Sequence, residues 1–255
     1  MSFSADWLAL RAPADDVARD PGLLAAAAEA ARAAGDAAPV ILDLGCGTGA
    51  TARAFATLLP QARWRLVDAD AELLAQAVAS TGGVGHCRDL SDVAGLPLAG
   101  AHLVTASALL DLMPRGWLER LAARLAAAQV GFYAALSYDG VMRWVPALPA
   151  DAAVTAAFNA HQQGDKGLGP ALGPAAADTA ADILAGAGFT VRLADSPWRL
   201  GPADAALQAE LMDGIAMAAT EAGCAAAPAW RAARALAPGL CHIGHRDLLA
   251  MPRVD

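Results

Sequence analysis

Three glycines alternate with other residues in Asp43-Leu44-Gly45-Cys46-Gly47-Thr48-Gly49, directly after the apolar run Val40-Ile41-Leu42. This order constrains the fold more than any other stretch. It reads as a buried strand running straight into a tight backbone loop that opens a helix. Glycine is required where the backbone must approach a ligand closely or adopt φ > 0, which a Cβ opposes. Nineteen residues beyond Gly49, after the second apolar run Trp64-Arg65-Leu66-Val67, stands Asp68. An acid at the tip of a second strand is placed to bind the two hydroxyls of a ribose. Loop and acid together point to a bound nucleoside, without saying which.

The spacing narrows the choice. Dinucleotide folds usually carry G-x-G-x-x-G, whereas the order here is D-x-G-x-G-x-G, with Asp43 two residues before the first glycine. No Lys-Ser/Thr pair follows, so the loop is not a P-loop. The run resembles motif I of the class I S-adenosylmethionine-dependent methyltransferases. The resemblance covers residues 39–137 with ordered motifs and the rest more loosely. It implies S-adenosylmethionine as cofactor and S-adenosylhomocysteine as product. It also implies a cofactor site built from Asp43, Gly45, Cys46, Gly47, Gly49, Asp68 with Ala69, the pair Asp89-Leu90 at the adenine edge, and Ser107. The last lies in the run Ala101–Leu110, which resembles the fourth strand, whose end faces the transferred methyl group. Other readings stand beside these roles. Asp68 is also placed to cap a helix, although Asp70 is the better cap. Asp92 can take the part of Asp89, or either can cap a turn through Leu90-Ser91. Cys46 reads as a small packing residue.

Length and charge bound the rest. A chain of 255 residues can bury the core of one α/β domain with embellishments. The formal net charge is −8, Lys166 is the single lysine, and no basic cluster marks a nucleic-acid face. A small-molecule acceptor is therefore expected instead of DNA or RNA. The N-terminus lacks the basic start and apolar core of a signal peptide, and no apolar run nears the ~18 residues of a membrane span. Cysteines 46, 87, 224 and 241 show no C-x-x-C pairing. A cytoplasmic protein is expected, and the arginine and alanine bias suggests a GC-rich bacterial genome. Oligomeric state is left open.

Alternating strands and helices predict a Rossmann-like, doubly wound, mostly parallel α/β sheet. Seven strands are expected, the last one antiparallel. Residues 6–36 read as helices broken at Pro13 and Pro21-Gly22 and stopped at Gly35. Strands are expected at 39–44, 64–68, 84–87, 101–107 and 129–137, with helices at 48–58, at 71–80 and from Pro114. That last helix carries Trp117, Leu118, Leu121 and Leu125 at helical spacing. After Ser137 the alternation stops. Residues 138–174 read as an inserted substrate cap ending in a loop too rich in glycine and proline to be helical. Beyond it come a helix at 175–187, a strand at 189–194, helices at 203–222 and 228–236, and the last strand at 241–251. The expected organisation is one domain: N-terminal helices 1–38, cofactor core 39–137, cap 138–174 and C-terminal part 175–255.

The run Thr105–Asp111 lacks the Asn/Asp-Pro-Pro-aromatic motif that the family uses for exocyclic amines of bases. The candidate general base is His161 in the cap, since imidazole accepts a proton near neutral pH. A packing histidine is the plainer reading. Asp111, Tyr138, Asp139 and His161 are expected to line the substrate pocket. Arg11 and Arg19 can reach a carboxylate, though solvated helix arginines are commoner. Cys241, His242 and His245 lie within a predicted strand, with no fourth ligand in view, so no metal is expected. A nicotinamide-dependent oxidoreductase and a non-catalytic cofactor-binding module are the alternatives.

Overall fold

A computed structural model describes residues 4–34, 38–237 and 239–253. Two helices lead: α1 (Ala5–Ala18), capped by the Ser4 hydroxyl, and α2 (Pro21–Ala33), capped by Asp20 with Pro21 at its first position. Pro13 lies inside α1 and does not break it. The helix loses one backbone bond there, but Asp15, two residues on, accepts from the Trp198 indole and clamps the helix to the body. The expected stop at Gly35 falls outside the described residues. Strand β1 (Val40–Leu44) runs through the glycine loop into α3 (Ala50–Phe55), shorter than expected. Then come β2 (Arg63–Asp68), α4 (Ala71–Thr81), β3 (Val84–Cys87), β4 (Leu103–Ser107), α5 (Arg115–Ala128) and β5 (Gly131–Val145). The chain continues through α6 (Asp151–Gln162), α7 (Ala176–Gly186), β6 (Phe189–Asp195), β7 (Trp198–Leu200), α8 (Ala205–Glu221), α9 (Ala227–Leu236) and β8 (Leu240–Pro252).

The strand order is β3-β2-β1-β4-β5-β8-β6, with β7 also paired to β8. The first five strands are parallel, and β8 runs antiparallel to β5, β6 and β7. The sheet is thus Rossmann-like as expected, with one more strand than the seven foreseen. That strand, β7, is three residues long, too short to carry a legible period. A second departure matters more. β5 does not end at Ser137 but continues to Val145, pairing Tyr138 with His245 and Trp144 with Cys241. Asp139 and Gly140, expected in the inserted cap beyond the strand, are absorbed by a register shift between Tyr138 and Met142.

Three hydrophobic clusters hold these layers. Along β1, Leu42 and Leu44 face one cluster with α5 and α7, while Ile41 faces another with α2, α3 and α4. Trp117 of α5 is fully buried, and its indole N–H donates to the Leu90 carbonyl at 2.7 Å, tying the helix to the loop after β3. The third cluster forms where the long β5–β8 ladder projects beyond the parallel sheet. Trp144, Trp198, Ile215, Trp230 and Ile243 meet there, with α6, α8 and α9 closing over them.

Candidate functional site

Strand order reverses between β1 and β4, and in open α/β sheets the crevice beyond such a switch point is where ligands bind. A cavity of ≈ 500 Å³ opens there, lined by the glycine loop after β1, Asp68 to Asp70 after β2, Asp89 and Leu90 after β3, and Ser107 to Leu109 after β4. Its volume suits a nucleoside-sized ligand. Gly45, Gly47 and Gly49 all have positive φ (63°, 51° and 87°). A Cβ on Gly45 would stand 3.2 Å from Leu109 and one on Gly47 3.1 Å from Leu8, both cavity residues. Side chains there would meet strain and would fill the floor of the cavity.

Asp68 uses both carboxylate oxygens on the backbone: Oδ2 accepts from Gly47 N at 2.8 Å and Oδ1 from Asp70 N at 2.9 Å. Each oxygen keeps a further lone pair for a ligand hydroxyl. Asp70 caps α4 by accepting from Glu72 N and Leu73 N, so the capping role falls to it and Asp68 is left at the cavity. Asp89 accepts from Ser91 N at 2.7 Å, and the Ser91 backbone and hydroxyl hold its carboxyl below the usual range. Asp92 instead closes its own turn onto Gly95 N, and only Asp89 of the two lines the cavity. Cys46 and Ala69 also line it, and burial pushes the Cys46 thiol far up, so the sulfur is an inert packing group.

Two expected cofactor residues lie just outside the lining. Gly49 faces α4, where a Cβ would meet Thr81 at 3.1 Å. Asp43 is fully buried in β1 and accepts from the Thr105 hydroxyl at 2.7 Å. Burial raises its carboxyl to about 7, a shift that the bond from Thr105 and the field of Arg19 oppose. Arg19, itself buried, donates to the Ser107 hydroxyl at 2.9 Å and so ties the end of α1 to the end of β4.

The opposite wall comes from elements distant in sequence. α1 supplies Leu8, Arg11 and Asp15; the turn after β4 supplies Leu112 and Met113; the loop before α7 supplies Lys166, Gly167 and Leu168. Arg11 donates to Asp15 twice, at 2.8 and 3.0 Å, and lies 4.9 Å over the Trp198 ring. The four residues expected to line the substrate pocket are not among those that line this cavity. Tyr138 donates to Asn159 Oδ1 at 2.7 Å and meets the Phe158 ring edge-on. Asp139 accepts from Val141 N and occupies the space above Gly244. Both sit in the continued β5, where side chains pack against a ladder partner instead of ending at a strand tip. Asp111 is half-buried, its Oδ1 sealed without a partner, and burial lifts its carboxyl to about 6.

His161, expected as a base, is engaged at both ring nitrogens: Nε2 with Glu221 Oε2 at 2.9 Å and Nδ1 with Lys166 Nζ at 3.4 Å. A base needs a free nitrogen facing its substrate, and His161 has none to offer. Sequence reading missed Lys166, whose signal was being the single lysine inside a glycine-rich loop. It noted Arg11 but not Asp15, although their i,i+4 spacing is that of a helix ion pair. Among the described residues no group of three or more His, Cys, Asp or Glu is placed to hold a metal, and no helix is long and apolar enough to cross a membrane.

Residues 41–129 match the family model described as "Methyltransferase domain". No curated protein matches the chain. Among solved structures, the YcgJ protein from Bacillus subtilis aligns over 92% of this chain and 100% of its own, with 13% identity and a TM-score of 0.55. The cyclopropane synthase MmaA2 from Mycobacterium tuberculosis aligns over 84% and 78%, at 12% identity and a TM-score of 0.48. Human N-acetylserotonin methyltransferase, solved with S-adenosylmethionine, aligns over 66% of this chain and 47% of its own, at 19% identity and a TM-score of 0.42. The first of these establishes the fold, and the residues that match the family model carry the strands and loops that form the cavity floor.

Proposed function

We propose that this chain is an active enzyme moving a methyl group from S-adenosylmethionine to a small-molecule acceptor, a reading supported by the methyltransferase-domain match over residues 41–129 and by the fold. S-adenosylhomocysteine would be released. The observation that carries this reading is the cavity at the β1–β4 switch point, floored by positive-φ glycines and edged by Asp68. When bound, the cofactor supplies a methyl group made electrophilic by its sulfonium. The protein's share is to hold and align the acceptor and to keep water out.

The residues present fit that cofactor. Asp68 would accept from the ribose hydroxyls, and the Gly45–Gly49 turn brings backbone close to the ligand without Cβ atoms in the way. Asp89 would accept from the adenine amine, with Leu73 and Leu90 offering apolar surface to the base. Ala69, Cys46 and Ser107 complete the lining, with Asp43 supporting the loop from beneath. A small acceptor is supported by the net charge of −8 and the absence of a basic run in the sequence. The single-domain division fits a continuous sheet running from β3 to β6.

Calorimetric titration of S-adenosylhomocysteine into the wild type and Asp68→Ala tests the reading. Binding in the wild type that weakens about 100-fold in the variant is expected, since two hydrogen bonds to a charged group are lost. Absence of binding to the wild type would remove the methyltransferase assignment. Cofactor consumption with a metabolite pool then separates an enzyme from a module that only binds.

A further inference from the structure

The far wall of the cavity contains one cation without a carboxylate partner. Arg11 is held by Asp15 at both ends of its fork. Lys166 is different: its hydrogen-bond partners are His161 Nδ1 at 3.4 Å and the His161 carbonyl at 3.1 Å, neither of them a carboxylate. An ammonium has three N–H donors, so one is left over. The lysine is also positioned. Asp165 Oδ1 accepts from Gly167 N at 2.7 Å and Gly169 N at 3.0 Å, closing the loop on itself around Lys166. Leu172 N donates to the Met113 carbonyl, tying the loop to the wall beside it.

His161 orients the amine from behind. Its Nδ1 accepts from Nζ only if the ring proton sits on Nε2, and Glu221 Oε2, 2.9 Å from Nε2, selects that tautomer. Carboxylate, imidazole and ammonium thus form a line ending at a residue of the cavity wall. The wall that carries Lys166 also carries the apolar side chains of Leu8, Leu112, Met113 and Leu168. Partial burial disfavours the charged ammonium and is the main influence on it, with Glu221 and Asp111 acting the other way. A cation in such surroundings gains from an anion brought to it.

We propose that Lys166 is the acceptor-recognition residue of this site, and that the acceptor carries an ionised oxygen on an apolar body, as a small carboxylic acid or an acidic phenol does. This rests on the methyltransferase reading above and names the substrate class for it. His161 and Glu221 are then positioning residues, acting through the lysine.

The test uses full-length protein saturated with S-adenosylhomocysteine. Small aromatic and branched aliphatic acids and nitrophenols are titrated alongside their matched amides and methyl ethers. The wild type is expected to favour the ionised members about tenfold or more over the neutral ones. That preference should fall below about threefold in Lys166→Met, persist in Lys166→Arg, and weaken in Glu221→Gln. The affinity for S-adenosylhomocysteine and the melting temperature should stay level across all four proteins. Nitrophenol absorbance adds a second readout, because Lys166 should shift bound nitrophenol towards the phenolate and Lys166→Met should not. Equal binding of neutral and ionised partners, no binding of either, or a preference that survives Lys166→Met overturns the proposal. Failure of the wild type to bind S-adenosylhomocysteine overturns the underlying reading instead.

Discussion

The two sides of the cavity are built in opposite ways. The floor is made by short segments that each directly follow one strand: Gly45–Thr48 after β1, Asp68–Asp70 after β2, Asp89-Leu90 after β3 and Ser107–Leu109 after β4. Its geometry is local, because a strand end and a positive-φ turn fix where each group points. The far wall joins α1 to a loop about 150 residues later, and nothing local relates Arg11 to Lys166. The α1 part of that wall packs on the third hydrophobic cluster, the β5–β8 ladder with α6, α8 and α9, while Met113 and Leu168 pack in the first cluster with α5 and α7. The lesson is a division of origin: local spacing sets the floor, while packing between distant elements sets the wall.

Four outcomes break or sharpen this contrast. The largest effect is expected far from the floor. Arg234 is buried, bonded to Asp151 and to the Pro146 carbonyl, and stacked 5.0 Å over Trp144. Asp151→Ala leaves that guanidinium buried and unpaired and should destabilise the fold by about 3–5 kcal/mol in denaturant unfolding. Its affinity for S-adenosylhomocysteine should be unchanged under native conditions. A large loss of that affinity in still-folded protein would show the two regions to be one cooperative site.

Asp68→Ala should do the reverse. Its binding loss of about 100-fold corresponds to roughly 3 kcal/mol, while stability should fall by only about 1 kcal/mol, since the N–H groups it releases are within reach of water. Equal losses in both measurements would mean that Asp68 is chiefly a loop clamp. Gly47→Ala is the intermediate case. A side chain at φ 51° is strained by about 1–2 kcal/mol. Its Cβ, 3.1 Å from Leu8, also presses the floor against α1, so binding should weaken about tenfold. Restoration of binding by Leu8→Ala in the double variant would locate the effect in that contact.

The smallest effect is a pair of opposite pH dependences. Burial raises Asp43, beneath the floor, from 3.8 to about 7, so the folded state binds a proton that the unfolded state has released. Its contribution is fully present below about pH 4 and is lost as pH rises through about 7. His245, against Trp198 on the far side, is lowered from 6.5 to about 3, chiefly by burial. Its contribution is present above about pH 6.5 and is lost as pH falls towards 3. Melting temperatures between about pH 4 and pH 7 should therefore slope more steeply upward with pH in Asp43→Asn, and less steeply in His245→Gln, than in the wild type. Parallel profiles for all three proteins would show that neither group titrates differently on folding.

The same division governed what was legible in the chain. Gly45, Cys46, Gly47 and Asp68 were readable as cavity lining because strand periodicity and glycine placement are properties of neighbouring residues, while Asp89 was named through the family resemblance. Asp70 as the cap of α4, and Trp117 on the buried face of α5, were readable for the same reason. Tyr138 and Asp139 were read as lining the pocket because the strand was expected to end at Ser137, an end that pairing with β8 overrode. His161 was chosen for its chemistry. Its partners, Glu221 sixty residues on and Lys166 in a closed loop, were invisible until α6 packed on α8.

By itself the amino-acid order determined the alternating α/β plan, the strand-to-loop turns and the placing of acids just beyond strand ends, because each depends on spacing within a few residues. Only the tertiary structure decided how far β5 runs, which acids face the cavity, and that one lysine closes its far wall. Those outcomes depend on ladder pairing and helix packing between segments up to more than a hundred residues apart, where burial and partner choice overrule any local preference.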